Sequence, residues 1–245
     1  DVRAVLALLD GTRDLEAVQA AAVTAGCPAA RAGELLDLLR GAGLVVDAAE
    51  RWPAHLDVDA RDRLAADVAS LSLLHAGAGL PALHRRDSAS VTVIGGGRVG
   101  APLAGLLAAA GVGTVDVTDD GHVRPDDTAI GGLRPADVGR GRGQAARDRL
   151  AEVSPMTRTG PVRRPDVVVL APPSVLDEDG AAALLRDGLP HLLAEVRDTV
   201  GVVGPMVLPG RSPCLRCLDL TRTDRDPDWP ALAVQLTLPA RAAQA

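Results

Sequence analysis

Six residues, Gly95-Gly96-Gly97-Arg98-Val99-Gly100, separate the apolar run Val91-Thr92-Val93-Ile94 from a ten-residue stretch, Ala101 to Ala110, with no charge. This is G-x-G-x-x-G between a strand and a helix. Gly95 permits the tight turn, Gly97 lets a ligand approach the backbone, and Gly100 allows close helix packing. The helix start is suited to a phosphate, and Asp119, at the tip of a second strand over Thr114 to Thr118, is placed to take a ribose hydroxyl or simply to cap a turn. A second chemical signal is Cys214-Leu215-Arg216-Cys217, which follows the Pro209-Gly210 turn. It is half of a four-thiolate zinc site or a redox dithiol, and the thioredoxin-like strand a redox motif follows is missing. Cys27 is too remote in sequence to be a third ligand. His122, His191, Ser154 and Ser174 each lack a sequence-local catalytic partner, so no catalytic set is assigned.

Strand, glycine turn, helix, strand and acid together predict an α/β chain with a Rossmann-like, doubly wound sheet. The glycines do not identify a ligand, since a fold that keeps the turn and holds no nucleotide carries them equally well. Ahead of the turn, Val5, Leu8 and Leu9 share one helical face, and Gly11-Thr12-Arg13-Asp14 stops that helix and caps the next. Leu15, Val18 and Ala22 continue to Gly26; Pro28 opens a third helix with Leu35, Leu38 and Leu39 on one face; Leu44-Val45-Val46 follows as a short strand. Three helices and a strand is a small winged-helix-like order over residues 1–50. A connecting helix and linker occupy 51–88, with Leu64, Val68, Leu71 and Leu74 on one side, and the α/β domain runs over 89–245.

Charge narrows the partners. The chain nets −6, and residues 1–50 set four arginines against eight carboxylates, so the charge opposes a DNA-reading third helix. The same acidity speaks against an anionic membrane surface, and the apolar stretch from Ala101 to Val115 is too short and too glycine-interrupted to span a bilayer. Every basic residue is arginine and asparagine is absent, so lysine nucleophiles and catalytic asparagines are unavailable. Three cysteines and the opening Asp1-Val2-Arg3 predict a reducing, cytoplasmic setting; the missing initiator methionine and the Arg-Ala-Ala-Gln-Ala ending suggest trimming at one or both ends.

Further blocks extend the glycine turn: Gly100-Ala101-Pro102, Ala108 to Gly113, Val117-Thr118-Asp119, Asp137-Val138-Gly139-Arg140 and Val153-Ser154-Pro155. In order and spacing they resemble the ThiF-like proteins, relatives of the ubiquitin-activating enzymes, from about Val91 to Leu220. That resemblance implies structural Zn2+, with Cys214 and Cys217 as the half-site in this chain and a second pair beyond Ala245. Leu9 to Leu15 and Leu35 to Val45 resemble PqqD-like peptide-recognition domains, in which a leader peptide adds as an edge strand beside the third helix. Carried onto this chain, the peptide-binding residues are Leu35, Leu38, Leu39, Leu44, Val45 and Val46; the plainer alternative is a helical cap that only packs on its neighbour. The fusion resembles the leader-peptide-binding partner of YcaO-type azoline-forming cyclodehydratases, which implies a precursor leader and a YcaO-type cyclodehydratase as partners, with a homodimer left open.

The resemblance fails where an active adenylating member needs its chemistry. The second acid after the ribose-binding one is Gly121, the asparagine and arginine for the phosphates fall on Asp126 to Ile130, the lysine is matched at best by Arg142, and an Asp-Asn pair is replaced by Ala171-Pro172-Pro173. Arginine does not simply replace a lysine point charge. The sequence therefore predicts a catalytically degenerate delivery protein. An ATP-dependent ThiF-type adenylyltransferase is the alternative, with ATP a cofactor only there; an NAD-linked oxidoreductase is opposed by the blocks after Asp119.

Overall fold

The structure, a computed structural model, describes residues 2–47, 51–172, 178–197 and 199–242. The chain divides into two compact units, Asp1–Asp87 and Ser88–Ala245.

In the first unit, α1 (Val2–Ala7), α2 (Leu15–Thr24) and α3 (Ala29–Gly41) enclose Val5, Val18, Ala22, Cys27, Ala32 and Leu36. Asp14 caps α2 by accepting the Ala17 N–H at 2.8 Å, and Gly26, at φ +87°, turns the chain out of the helix just past its C-cap. The stripe that α3 buries is Ala32 and Leu36, with Leu35 packed partly against it, whereas Leu38 is 69% exposed. The inward face of α3 thus runs through Ala32, Leu35, Leu36 and Leu39, and Leu38, expected on it, points away. Leu44, Val45 and Val46 form no strand: a strand needs a ladder partner, and among the described residues none pairs with them. Two more helices, α4 (Val58–Leu74) and α5 (Gly79–Ser88), complete this part of the chain. Ala60, Leu64, Val68 and Leu71 of α4 are buried, while Leu74, expected among them, lies in the last turn and is 76% exposed. Gly43, at φ +69°, sits where a Cβ would overlap the Ser72 carbonyl, so only glycine lets the end of α3 lie against α4.

The second unit is built on β1 (Ser90–Ile94), β2 (Thr114–Thr118), β3 (Val167–Leu170), β4 (His191–Arg197) and β5 (Val200–Val207), in the spatial order β2-β1-β3-β4-β5. The first four run parallel and β5 is antiparallel to β4. Helices α6 (Gly100–Ala109) and α7 (Arg142–Val153) cover one face, where Val91, Val93, Val115, Val117 and Val169 meet Ala101, Ala104, Ala108, Ala145, Ala146 and Leu150. Valine strands under alanine helices let the layers approach closely without any aromatic filler. Val168, Leu170 and Leu193 form the other face with Leu184 of α8 (Glu178–Arg186) and Leu215 of α9 (Leu215–Arg225); α10 (Trp229–Ala242) follows. The strand order reverses about β1, between β2 and β3, so the crevice of a doubly wound sheet falls at the carboxyl ends of β1 and β3. No helix among the described residues is long and apolar enough to cross a membrane.

Candidate functional site

The crevice is closed by glycine geometry. Gly95, at φ +103°, follows β1 directly, and a Cβ there would overlap the Ala171 carbonyl just past β3; a Cβ on Gly100 would overlap the Gly95 carbonyl. Gly97 keeps the loop near a different group from the one expected: its Cβ position lies 3.1 Å from Oδ1 of Asp127. The backbone approach that a dinucleotide would use is taken by a carboxylate of the chain itself.

That carboxylate belongs to a buried triad. Asp119 Oδ1 accepts the Gly121 N–H at 2.8 Å, and its Oδ2 accepts both the Gly96 N–H at 2.8 Å and Nε of Arg142 at 2.9 Å. The Arg142 Nη1 donates to both oxygens of Asp127, at 3.2 and 3.0 Å, and Asp127 Oδ2 also accepts the Arg124 N–H at 2.8 Å. The side chains of Asp119, Arg142 and Asp127 are 6%, 8% and 11% exposed. Burial alone would lower the Arg142 pKa, and the hydrogen bond and charge of Asp119, with the charge and hydrogen bond of Asp127, reverse this and hold it above its ordinary value. Two carboxylates around one guanidinium leave a net negative charge, and Arg98 on the turn is exposed. A Cβ at Gly121 would overlap Nη2 of Arg142, so the arginine fills the space into which a second acid would extend.

The loop that delivers Asp127 contains an internal repeat. Arg124-Pro125-Asp126-Asp127 and Arg134-Pro135-Ala136-Asp137 each form a 3-10 turn in which the aspartate accepts the arginine N–H, at 2.8 and 2.9 Å. The first turn aims its carboxylate at Arg142; the second aims Asp137 at Arg140, 2.8 Å away. The signal was present as Arg-Pro-x-Asp twice in register, but with nothing in either copy to say which arginine each aspartate meets. Arg140 also pairs with Asp148, and Arg147 donates to the Val117 carbonyl at 2.6 Å, which fastens α7 to the edge of β2.

The remaining singled-out residues are separate from this triad. His122 is exposed, and His191 is buried at the start of β4 with Nδ1 2.9 Å from the Leu189 carbonyl. Ser154 is buried and accepts from Thr157 Oγ1 at 2.9 Å, while Pro173 and Ser174 lie outside the described residues. Ile130 is fully exposed, and Pro172 follows β3. In the first unit Leu38, Leu44 and Val46 are exposed and Leu35, Leu39 and Val45 half-buried. Cys27 is buried there beside the Pro28 carbonyl.

Cys214 is the residue at the N-cap of α9, with its Sγ 3.6 Å from that of Cys217. The Cys217 N–H holds the Cys214 thiol below its ordinary pKa, against the opposing effect of burial. Two thiolates at tetrahedral corners with Zn–S of about 2.3 Å stand about 3.8 Å apart, so the pair has the bite of a zinc half-site. No group of three or more His, Cys, Asp or Glu converges on a metal position among the described residues.

Comparison with known proteins agrees with this architecture. Probable adenylyltransferase/sulfurtransferase MoeZ of Mycobacterium tuberculosis is 37% identical over 115 residues, 45% of this chain and 27% of that protein. Among solved structures, E. coli MccB with AMPCPP and selenomethionyl MccA superposes with a TM-score of 0.69 at 15% identity, over 88% of this chain and 65% of that one. PaaA gives 0.66 at 19% identity, over 88% and 70%. The microcin C7 biosynthetic enzyme MccB in complex with N-formylated MccA gives 0.62 at 17%, over 81% and 60%. The chain thus spans about a quarter of that curated relative. The ThiF family model matches residues 70–237, which takes in β1, the glycine turn, the arginine-bridged carboxylates and the cysteine pair. That match covers more than half of the chain, and this chain belongs to the ThiF family.

Proposed function

We propose that this chain is a leader-peptide-binding ThiF-family protein that has given up adenylation and delivers a ribosomal precursor to a YcaO-type cyclodehydratase, which makes azoline rings. The observation that carries the reading is the Arg142 bridge. Adenylyl transfer needs cations and a metal at the ATP phosphates. In this crevice the buried guanidinium is spent on Asp119 and Asp127, the Gly96 N–H is given to Asp119, and the neighbouring position is Gly121. Ile130 and Pro172 offer neither charge nor a metal ligand.

The binding half of the proposal rests on the first unit, whose Leu38, Leu44 and Val46 are exposed beside half-buried Leu39 and Val45. An extended peptide laid along residues 44–46 would supply the ladder partner that this segment lacks within the described chain. That the fold-sharing MccB was crystallised with MccA supports a peptide as the ligand class. Cys214 and Cys217 would hold Zn2+ in a structural role, since four thiolates leave no open position for water. The adenylyltransferase reading is favoured by the MoeZ likeness, and by MccB having been crystallised with AMPCPP.

The test is ATP hydrolysis by a YcaO-type cyclodehydratase on a candidate precursor peptide, with and without this chain. Stimulation that depends on the leader supports delivery; turnover unaffected by the chain overturns it.

A further inference from the structure

Arg51, Trp52, Ala54 and Arg61 line an open pocket of about 440 Å³ in the first unit. The unit as a whole repels anions, with nine arginines against thirteen carboxylates over residues 1–87. Several of its guanidinium groups face acids: Arg13 meets Asp10, Arg31 meets Glu34 and Arg86 meets Asp67, at 2.8, 3.2 and 3.5 Å. Arg51 and Arg61 differ. Neither guanidinium meets a carboxylate among the described residues, and Arg61 uses Nε alone, donating to the Leu56 carbonyl at 2.9 Å.

The walls are fixed by contacts outside the pocket. His84 Nε2 donates to the Arg51 carbonyl at 2.7 Å, tying the segment to α5. His55 Nε2 stands 3.1 Å from Asp87, and Asp57 caps α4 by accepting the Ala60 N–H at 2.8 Å. Pro53 and Leu56 of the same segment are buried. The half-buried Trp52 indole lines the pocket with the two arginines, and it is one of two tryptophans in a sequence without phenylalanine or tyrosine. Two forked donors with a flat apolar surface beside them form a receptor for a carboxylate attached to an apolar group. Polyphosphates and nucleic acids carry many charges into a unit that is net negative, whereas a single carboxylate carries one.

We infer that this pocket binds an acidic residue of a peptide, its carboxylate held between Arg51 and Arg61 and a neighbouring apolar side chain laid on Trp52. The choice of a peptide as occupant rests on the peptide-binding function proposed above; the receptor chemistry does not. Trp52 provides the readout. With Trp229→Phe, it is the sole indole of the full chain, and its emission is followed while acetyl-Ala-Leu-Glu-Leu-Ala-amide, the same peptide with Gln for Glu, inorganic phosphate or AMP is added. The Glu peptide should give a saturable change that weakens with salt. The Gln peptide, and the Glu peptide on Arg51→Gln/Arg61→Gln, should each bind roughly ten-fold or more weakly, as expected when charge-assisted pairs are lost. Arg51→Lys/Arg61→Lys should fall between, which separates recognition from misfolding. Equal binding of the Gln peptide, or of the Glu peptide to the double Gln variant, would overturn the assignment, as would saturable binding of phosphate or AMP without that of the peptide. In Leu39→Asp/Val45→Asp the response to the short peptide should persist even if leader binding is lost, so the two proposals fail separately.

Discussion

Replacing Arg142 by methionine should destabilise the second unit by about 3 kcal/mol. The side chain makes three charge-assisted hydrogen bonds, one to Asp119 and two to Asp127, at 2.9 to 3.2 Å. Methionine fills much of the volume, so the cost is chiefly two buried carboxylates left without a cation. Removing one partner of a buried ion pair costs about 3–5 kcal/mol. The lower end applies because Asp119 keeps the Gly96 and Gly121 N–H groups and Asp127 keeps that of Arg124. In a Trp52→Phe background Trp229 is the only indole and reports the second unit. Urea unfolding followed by its fluorescence should show a midpoint about 1.5 M lower, at a slope of about 2 kcal/mol per M. Adding Asp127→Asn should recover about 1 kcal/mol or more, since one uncompensated charge is then gone. A loss below about 0.5 kcal/mol for the single variant, the range of an ordinary surface change, would refute the buried bridge.

The leader-binding surface predicts that Leu39→Asp with Val45→Asp abolishes binding of a fluorescent leader in anisotropy, since a charge in an apolar pocket costs several kcal/mol when unpaired, roughly; undiminished binding would remove the groove. The protein extended past Ala245 should contain one zinc per chain by metal analysis and lose it when Cys214 and Cys217 become serine, whereas zinc unchanged in that variant would show another site. Burial opposes ionisation of Asp137, but the Arg134 N–H and Arg140 guanidinium outweigh it and hold its carboxyl below the usual range. A carboxyl depressed on folding stabilises above its unfolded pKa of about 4, and the contribution is lost as pH falls through the folded value. Asp137→Asn should therefore cost stability at neutral pH and progressively less in acid, read from urea midpoints at several pH values; a pH-independent difference would contradict the pairing.

The glycine turn was legible because its demands are local. Val91 to Ile94, three spaced glycines, an uncharged helix and Asp119 lie within thirty residues, and the structure forms them as β1, Gly95 to Gly100, α6 and the end of β2. The use to which Asp119 is put was not legible, because it depends on residues 119, 127 and 142, which the long connection from β2 through the two 3-10 turns to α7 brings together. Arg142 stood out in the sequence only as a poor match to a lysine; its role comes from the helix start that turns its side chain back under the loop. Burial on α3 was misjudged for a similar reason: periodicity identifies an apolar helix, but Ala32 and Leu36 face inward because of what α2 presents to them. The segment from Leu44 to Val46 has strand composition without a strand partner among the described residues, and composition alone does not supply one.

Pyrophosphate exchange by the chain alone, with ATP, magnesium and the candidate precursor, bears most directly on the claim that adenylation has been lost. The account predicts exchange no faster than without protein, and no recovery when any one of Gly121, Asp127, Ile130 or Pro172 is returned to the residue type of active ThiF enzymes. Exchange above the protein-free control, abolished by Asp119→Ala, would establish adenylyl transfer in this crevice and contradict the delivery function.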